Sequence, residues 1–412
     1  MERSHKVSTS SSQENSHNQN FLRGGGDVAL YVHLPFCVKR CKYCDFNSYA
    51  YTDQNINSYL EAVLSEARLR ASNLQPQTVF IGGGTPTFIE AEKLRDFLLE
   101  LSCITNFRSS AQEVTVEANP ESFDENMARA LLDAGVNRLS IGFQSLHDEV
   151  LKAYDRVHDA ATSFKAFEIA RNAGFDNINI DLIYSFPGQN PEQWGADLEK
   201  IHRLAPEHLS CYELSYEPGT ALTKLRDVGG HQENNDEFNT LMFELTRRIN
   251  SGAGYQAYEV SAFALDGRQC EHNLIYWNSS SYVGIGAGAA SWVTPYRTMN
   301  LKDPDKYIAA IVNNENHFVE NNCCDNTTIL FDCLMMGLRL EQCGVSVEQI
   351  ENLSKLNPLE HYKKQIGFFV DSGLLEIYRG DSQTYLRATA SGILQLDTIL
   401  GELLPDSGSM RV

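Results

Sequence analysis

The chain has 412 residues, 42% of them hydrophobic, with a formal net charge of −20 and a pI near 5.0. That length supports one large domain plus a smaller one, and the acidic balance argues against nucleic acid or an anionic membrane as partner, since both select basic surfaces. No apolar run is long enough to span a bilayer, and the ten cysteines follow no secretory signal, so a reducing compartment is expected rather than a disulfide framework.

Residues 1–26 are rich in Ser, Asn, Gln and His, end on Gly24, Gly25 and Gly26, and read as a disordered tail. Arg3, Lys6 and Arg23 are offset there by Glu2 and Glu14, a weak match to an Arg-rich, acid-poor transit peptide. A cytoplasmic location is the default expectation, with a mitochondrion or plastid as alternatives. From residue 28 short β-branched runs alternate with longer helical stretches. The pattern predicts strands at 28–34, 78–82, 113–118, 138–143, 177–184 and 208–214, and helices near 54–72, 90–101, 124–134, 162–173 and 191–203. Six strands with helical crossovers predict an α/β fold of parallel βαβ units. Right-handed crossovers curl such a sheet into a partial (β/α)6 barrel, and a flat doubly wound sheet is the alternative. The polar run 226–236 predicts an exposed loop leading into a helix near 235–250. Beyond residue 300, amphipathic helices at 326–340 and 346–355 precede a two-stranded element near 374–388. The expected division is a tail over 1–26, a barrel core over 27–299 and a small C-terminal α+β domain over 300–412.

The strongest chemical signal is Cys37, Cys41 and Cys44 in C-x3-C-x2-C spacing, directly after the first predicted strand. Thiolates suit zinc or an iron–sulfur cluster. Zinc sites usually take four ligands in paired spacing, and no fourth partner is evident. Three thiolates on a [4Fe–4S] cubane leave one iron open. That iron can chelate the amino and carboxylate groups of S-adenosylmethionine, and an electron from the cluster then releases a 5′-deoxyadenosyl radical. The plainer alternatives are three buried cysteines or a zinc knuckle. Cys323 and Cys324 lie in a polar stretch that reads as a loop without a metal role.

Other segments fit a ligand site at the strand ends. Ile81-Gly82-Gly83-Gly84-Thr85-Pro86-Thr87 follows the second strand, where glycines admit a ligand close to the backbone; alone it is an ordinary strand-to-helix turn. Glu117, Gln144 and Asp181 sit at or near the C-terminal ends of three strands, and Arg156 follows the fourth. Parallel barrels build their sites there. Tyr31 reads equally as a half-buried strand residue. Gly284-Ile285-Gly286-Ala287-Gly288-Ala289-Ala290 is a backbone wall against a cofactor or a tight turn, and His272-Asn273-Leu274-Ile275-Tyr276-Trp277 sets a histidine beside two aromatic residues.

Together these motifs resemble radical S-adenosylmethionine proteins, and within them the branch holding oxygen-independent coproporphyrinogen III oxidase and the HemW haem chaperones, over about residues 28–400. The resemblance implies a radical S-adenosylmethionine barrel, a cluster on Cys37, Cys41 and Cys44, and cofactor contacts at Tyr31, Gly83, Gly84, Thr85, Glu117, Gln144, Arg156 and Asp181. It makes His272 a haem contact, since histidine is a common axial ligand of haem iron. Two features separate the branches. The decarboxylating oxidases carry a further cysteine two positions past the third, where this chain has Phe46, and the HNxxYW pattern at 272–277 matches HemW. In the GIGAGAA segment Ala287 and Ala290 replace the proline and histidine usual in HemW proteins. The expected function is therefore a haem chaperone or transferase, with coproporphyrinogen III oxidase as the competing enzymatic reading. The implied partners are haem, an acceptor haem protein and, if S-adenosylmethionine is cleaved, an electron donor; a homodimer is left open.

Overall fold

The computed structural model describes residues 28–50, 55–380 and 382–405, so the predicted tail lies outside the described residues. All six predicted strands are present: β1 (Val28–Leu34), β2 (Thr78–Gly83), β3 (Glu113–Ala118), β4 (Arg138–Gln144), β5 (Ile178–Tyr184) and β6 (His208–Glu213). They pair in chain order and in parallel. The helices between them are α1 (Ile56–Arg70), α2 (Ala91–Thr105), α3 (Glu125–Asp133), α4 (Ala160–Ala173) and α5 (Pro191–His202). Side chains set several helix starts: Asp124 accepts from the Met127 N–H, Asp159 from Thr162 and Asn190 from Gln193.

Alternation along these strands separates two environments. Val79, Ile81, Val114, Val116, Leu139, Ile141, Ile178 and Ile180 join Leu94, Leu98, Leu131 and Leu198 of the helices in one apolar core. The intervening residues, among them Phe80, Glu117, Ser140, Asp181 and Ser210, face the interior of the curved sheet. Burying apolar strand residues against helices supplies the main driving force, which leaves the other face free to be polar.

The sheet extends beyond the expected six strands. β8 (Ala262–Ala264) pairs antiparallel with β6, and β7 (Gln256–Ala257) pairs antiparallel with β8. On the other side β9 (Ser281–Ile285) runs parallel to β1, followed by antiparallel β10 (Ala290–Val293), β11 (Tyr296–Asn300) and β12 (Phe318–Cys323). The order is β12-β11-β10-β9-β1-β2-β3-β4-β5-β6-β8-β7. The seventh parallel strand, β9, belongs partly to the segment read as a glycine-rich turn. The stretch read as a loop at Cys323 is instead the polar edge strand β12, exposed along most of its length; an edge strand with no packed face carries no apolar alternation to reveal it.

Strands before and after residue 300 thus share one sheet, and Tyr307 and Ile311 of the helix Pro304–Val312 belong to its core. A second core runs from Ile329 to Leu403, with Trp292 reaching into it. It includes a helix at Asn326–Gly337 and the expected hairpin Leu375–Arg379 with Thr384–Ala388, to which Val345–Ser346 adds a third short strand. No helix among the described residues is long and apolar enough to cross a membrane.

Candidate functional site

After β1, Cys37 ends the two-residue strand Phe36–Cys37 and Cys41 and Cys44 follow on the loop, all three facing a cavity of about 120 Å³. The same cavity is lined by Gly83, Gly84 and Thr85 after β2, Glu117 of β3, Gln144 of β4, Arg156, and Asp181 of β5. These expected residues, separated by more than a hundred positions, therefore meet at the C-terminal ends of neighbouring strands. Tyr31 and His272 line a second cavity of about 570 Å³. The two cavities share Tyr43, Cys44, Phe46, Glu117, Ser140, Gln144 and Asp181 and so adjoin.

The donor set around the thiols fits an iron–sulfur cluster. Thr85 Oγ1 donates to Cys37 Sγ and Arg156 Nη1 to Cys41 Sγ, both at 3.5 Å, and such contacts stabilise thiolate ligands. Cys44 Sγ lies 3.5 Å from Ser48 Oγ. Burial pushes the Cys37 thiol up to about 11, against the Thr85 hydrogen bond; metal coordination deprotonates such a thiol outright. No three His, Cys, Asp or Glu side chains among the described residues stand close enough to share one ion. That does not impede a cubane, in which each thiolate takes its own iron.

The glycine turn is held by its surroundings. Gly83 has φ of +110°, and a Cβ there would meet the His33 ring at 2.5 Å; a Cβ on Gly84 would meet the Phe36 carbonyl oxygen at 2.7 Å. The Gly83 N–H donates to Glu117 Oε2 at 3.1 Å. Burial, then the Asp181 charge, raises the Glu117 carboxyl to about 7, opposed by that N–H. Asp181 is likewise raised by burial, opposed by Ser140, Asn179 and Ser210. Gln144 takes a positive φ of +65° where the β4–β5 register shifts, and Arg156 Nη2 donates to Asn119 Oδ1 and the Gly142 carbonyl.

Asn119 is a site residue that sequence reasoning missed. Its side chain also donates to Thr85 Oγ1 at 3.0 Å, tying the glycine turn to Arg156 and through it to Cys41. Its position just past Glu117 in Glu117-Ala118-Asn119-Pro120 was the available signal. The backbone amides of 284–290 face elsewhere: Gly286 N–H donates to Glu66 and Ala287 N–H to Tyr59 OH. Burial would raise Glu66, but His317, Arg70 and Tyr307 hold it at about 2. This glycine segment lines neither cavity and anchors β9 on α1.

His272 lies on the short helix Glu271–Trp277 and is fully buried. Both ring nitrogens are engaged, Nδ1 with Thr78 Oγ1 at 2.8 Å and Nε2 with Tyr276 OH at 2.7 Å. Burial and then the Arg138 charge lower it to about 3, so the ring is neutral. Tyr31 OH, instead of reaching the thiol cavity, pairs with His33 Nδ1 at 2.9 Å.

Comparison with known proteins decides the family. The Radical SAM superfamily model matches residues 31–201. The haem chaperone HemW of Bacillus subtilis is 32% identical over 379 residues, covering 91% of this chain and 99% of that protein. The chain belongs to the HemW haem chaperone family of radical SAM proteins. HemW of Lactococcus lactis is 33% identical, over 84% of this chain and 90% of the relative. A Danio rerio protein, radical S-adenosyl methionine domain-containing protein 1, mitochondrial, is 30% identical over 92% and 87%. Among solved structures, Escherichia coli coproporphyrinogen III oxidase (HemN), a radical SAM enzyme, superposes with a TM-score of 0.77 at 23% identity, covering 94% of this chain and 92% of that one. The fold is thus the radical SAM fold, shared by both branches weighed from the sequence.

Proposed function

We propose that this chain is a haem chaperone. In this reading it holds a [4Fe–4S] cluster on Cys37, Cys41 and Cys44, S-adenosylmethionine beside it, and haem in the larger cavity, and hands the haem to an acceptor haem protein. The observation that carries the reading is the meeting of three thiols, the Gly83–Thr85 turn and the polar strand ends around one cavity that opens into a larger, partly aromatic one. When bound, the cluster supplies an electron able to cleave the sulfonium, which requires an external donor. The chain's own residues do the rest. Thr85 and Arg156 hold two thiol sulfurs, Gly83 and Gly84 admit a ligand against the backbone, and Glu117 and Asp181 present acceptors.

For haem, the walls of the larger cavity include Tyr31, Phe80, Tyr212 and Tyr276, flat surfaces that suit a macrocycle. His272 would hold the iron through Nε2 by giving up its bond to Tyr276, about 1 kcal/mol net, and its Thr78 bond would orient the ring, as partners of metal-bound histidines do. Phe46, where the oxidases carry a further cysteine, lines both cavities and counts against decarboxylation.

Replacing Cys41 with Ala should abolish the brown chromophore and iron content after reconstitution; persistence of both rejects the cluster assignment. Haem titration of wild type against His272→Ala should show weaker binding and a changed spectrum, and identical titrations reject His272 as ligand. Anaerobic turnover of coproporphyrinogen III to the divinyl product would overturn the chaperone reading in favour of the oxidase.

A further inference from the structure

One cation lies inside the larger cavity with little to bind. Arg138 opens β4 and is 2% exposed, yet lines that cavity. Its Nε is buried without a hydrogen-bond partner. The carboxylate within ion-pair reach, Glu113, stands 3.9 Å from it, beyond hydrogen-bond distance. Glu113 is committed elsewhere: it accepts from the backbone N–H groups of Glu271 and His272 at 3.0 and 3.1 Å and from Cys270 Sγ at 3.4 Å. Asp181 accepts from Ser140 and Asn179. A guanidinium offers five donors in a planar fork, and leaving such a charge buried without acceptors is costly.

The other charged groups around this cavity are acidic: Asp45, Glu117, Asp181, Glu213 and Glu217 line it, and Arg138 is its one Lys or Arg among the described residues. A carboxylate entering the cavity is repelled by those side chains and attracted at Arg138. We infer that Arg138 receives a carboxylate of a flat macrocyclic ligand, a propionate of haem under the reading above, and so sets which edge of the macrocycle points to the cavity floor. The guanidinium fork matches a carboxylate with two parallel N–H···O bonds, which a lysine cannot reproduce.

The inference rests on haem binding, and the test separates the two. The full chain with its cluster reconstituted is titrated with haem and with haem dimethyl ester, whose propionates are uncharged. Wild type should bind haem on the order of 10- to 100-fold more tightly than the ester, the range of a charge-assisted hydrogen bond. Arg138→Gln should remove most of that ratio by weakening haem, with ester binding little changed, and Arg138→Lys should retain part of it. Equal binding of haem and ester by wild type overturns this inference while leaving the haem reading intact, and it needs no variant to fold. An undiminished ratio in Arg138→Gln overturns it equally. Failure of wild type to bind either compound overturns the haem reading and this inference together.

Discussion

The rim and the floor of one interior are built on different principles. At the rim, where the strands end, Glu117, Gln144 and Arg156 sit around the thiols with few ties to secondary structure, and Glu117 holds one backbone N–H. At the floor, where the strands begin, Glu113, Arg138, Asn179 and His208 form a buried polar layer closed from below by Cys270 and His272. His208 there bonds both Asn179 and Tyr258. Barrel interiors of this kind are commonly filled by branched apolar residues. Here the apolar residues face the helices instead, and the floor is held by hydrogen bonds. Rim groups are therefore free to serve a ligand, whereas floor groups also carry the fold.

Substitutions can break or sharpen this contrast. The largest loss of stability is expected for Glu113→Ala, which strands two N–H groups and the Arg138 charge; denaturant unfolding should show about 3–5 kcal/mol. Leu139→Ala, on the helix-facing side of the same β4 that bears Arg138, should cost about 2–5 kcal/mol through the cavity it leaves. A penalty below that of an exposed site would mean the outer core is loosely packed.

The two levels should also respond oppositely to pH. The unfolded chain protonates His272 near 6.5, whereas the folded chain resists until about 3, so this group's contribution is lost as pH falls below 6.5. His272→Gln should remove up to about 1.4 kcal/mol per pH unit of that slope, one proton's worth. Glu117 at the rim has the reverse sign. Its folded carboxyl keeps a proton up to about 7 that the unfolded chain releases near 4.5, so its contribution falls as pH rises through that window. Unfolding of Glu117→Gln should lack this downward trend. At neutral pH its stability should stay within about 1 kcal/mol of wild type, while S-adenosylmethionine binding weakens. If Glu117→Gln proved as destabilising as Glu113→Ala, the rim and floor would not be distinct.

The rim was legible because its residues lie in contiguous, chemically unusual strings: a cysteine triplet, a glycine run, a polar residue closing each β-branched strand. The floor was not, because Glu113, Arg138 and His208 open their strands as isolated charged or polar residues that read equally as solvent-facing strand starts. Only burial beneath α-helical residues 271–277 makes them a layer. β9 escaped notice because its pattern, Ser281-Tyr-Val-Gly-Ile, is short and merges with the glycines that follow.

By itself, then, the sequence determined the cysteine triplet, the six parallel strands and the family resemblance, since local spacing and period-two alternation are properties of the chain. Tertiary structure alone decided that Asn119 bridges Thr85 and Arg156, that both nitrogens of His272 are occupied, and that Arg138 stands inside the larger cavity with its Nε unpaired. Those facts depend on contacts between strands far apart in the chain, whose partners are set by sheet register and the closing helix rather than by any local pattern.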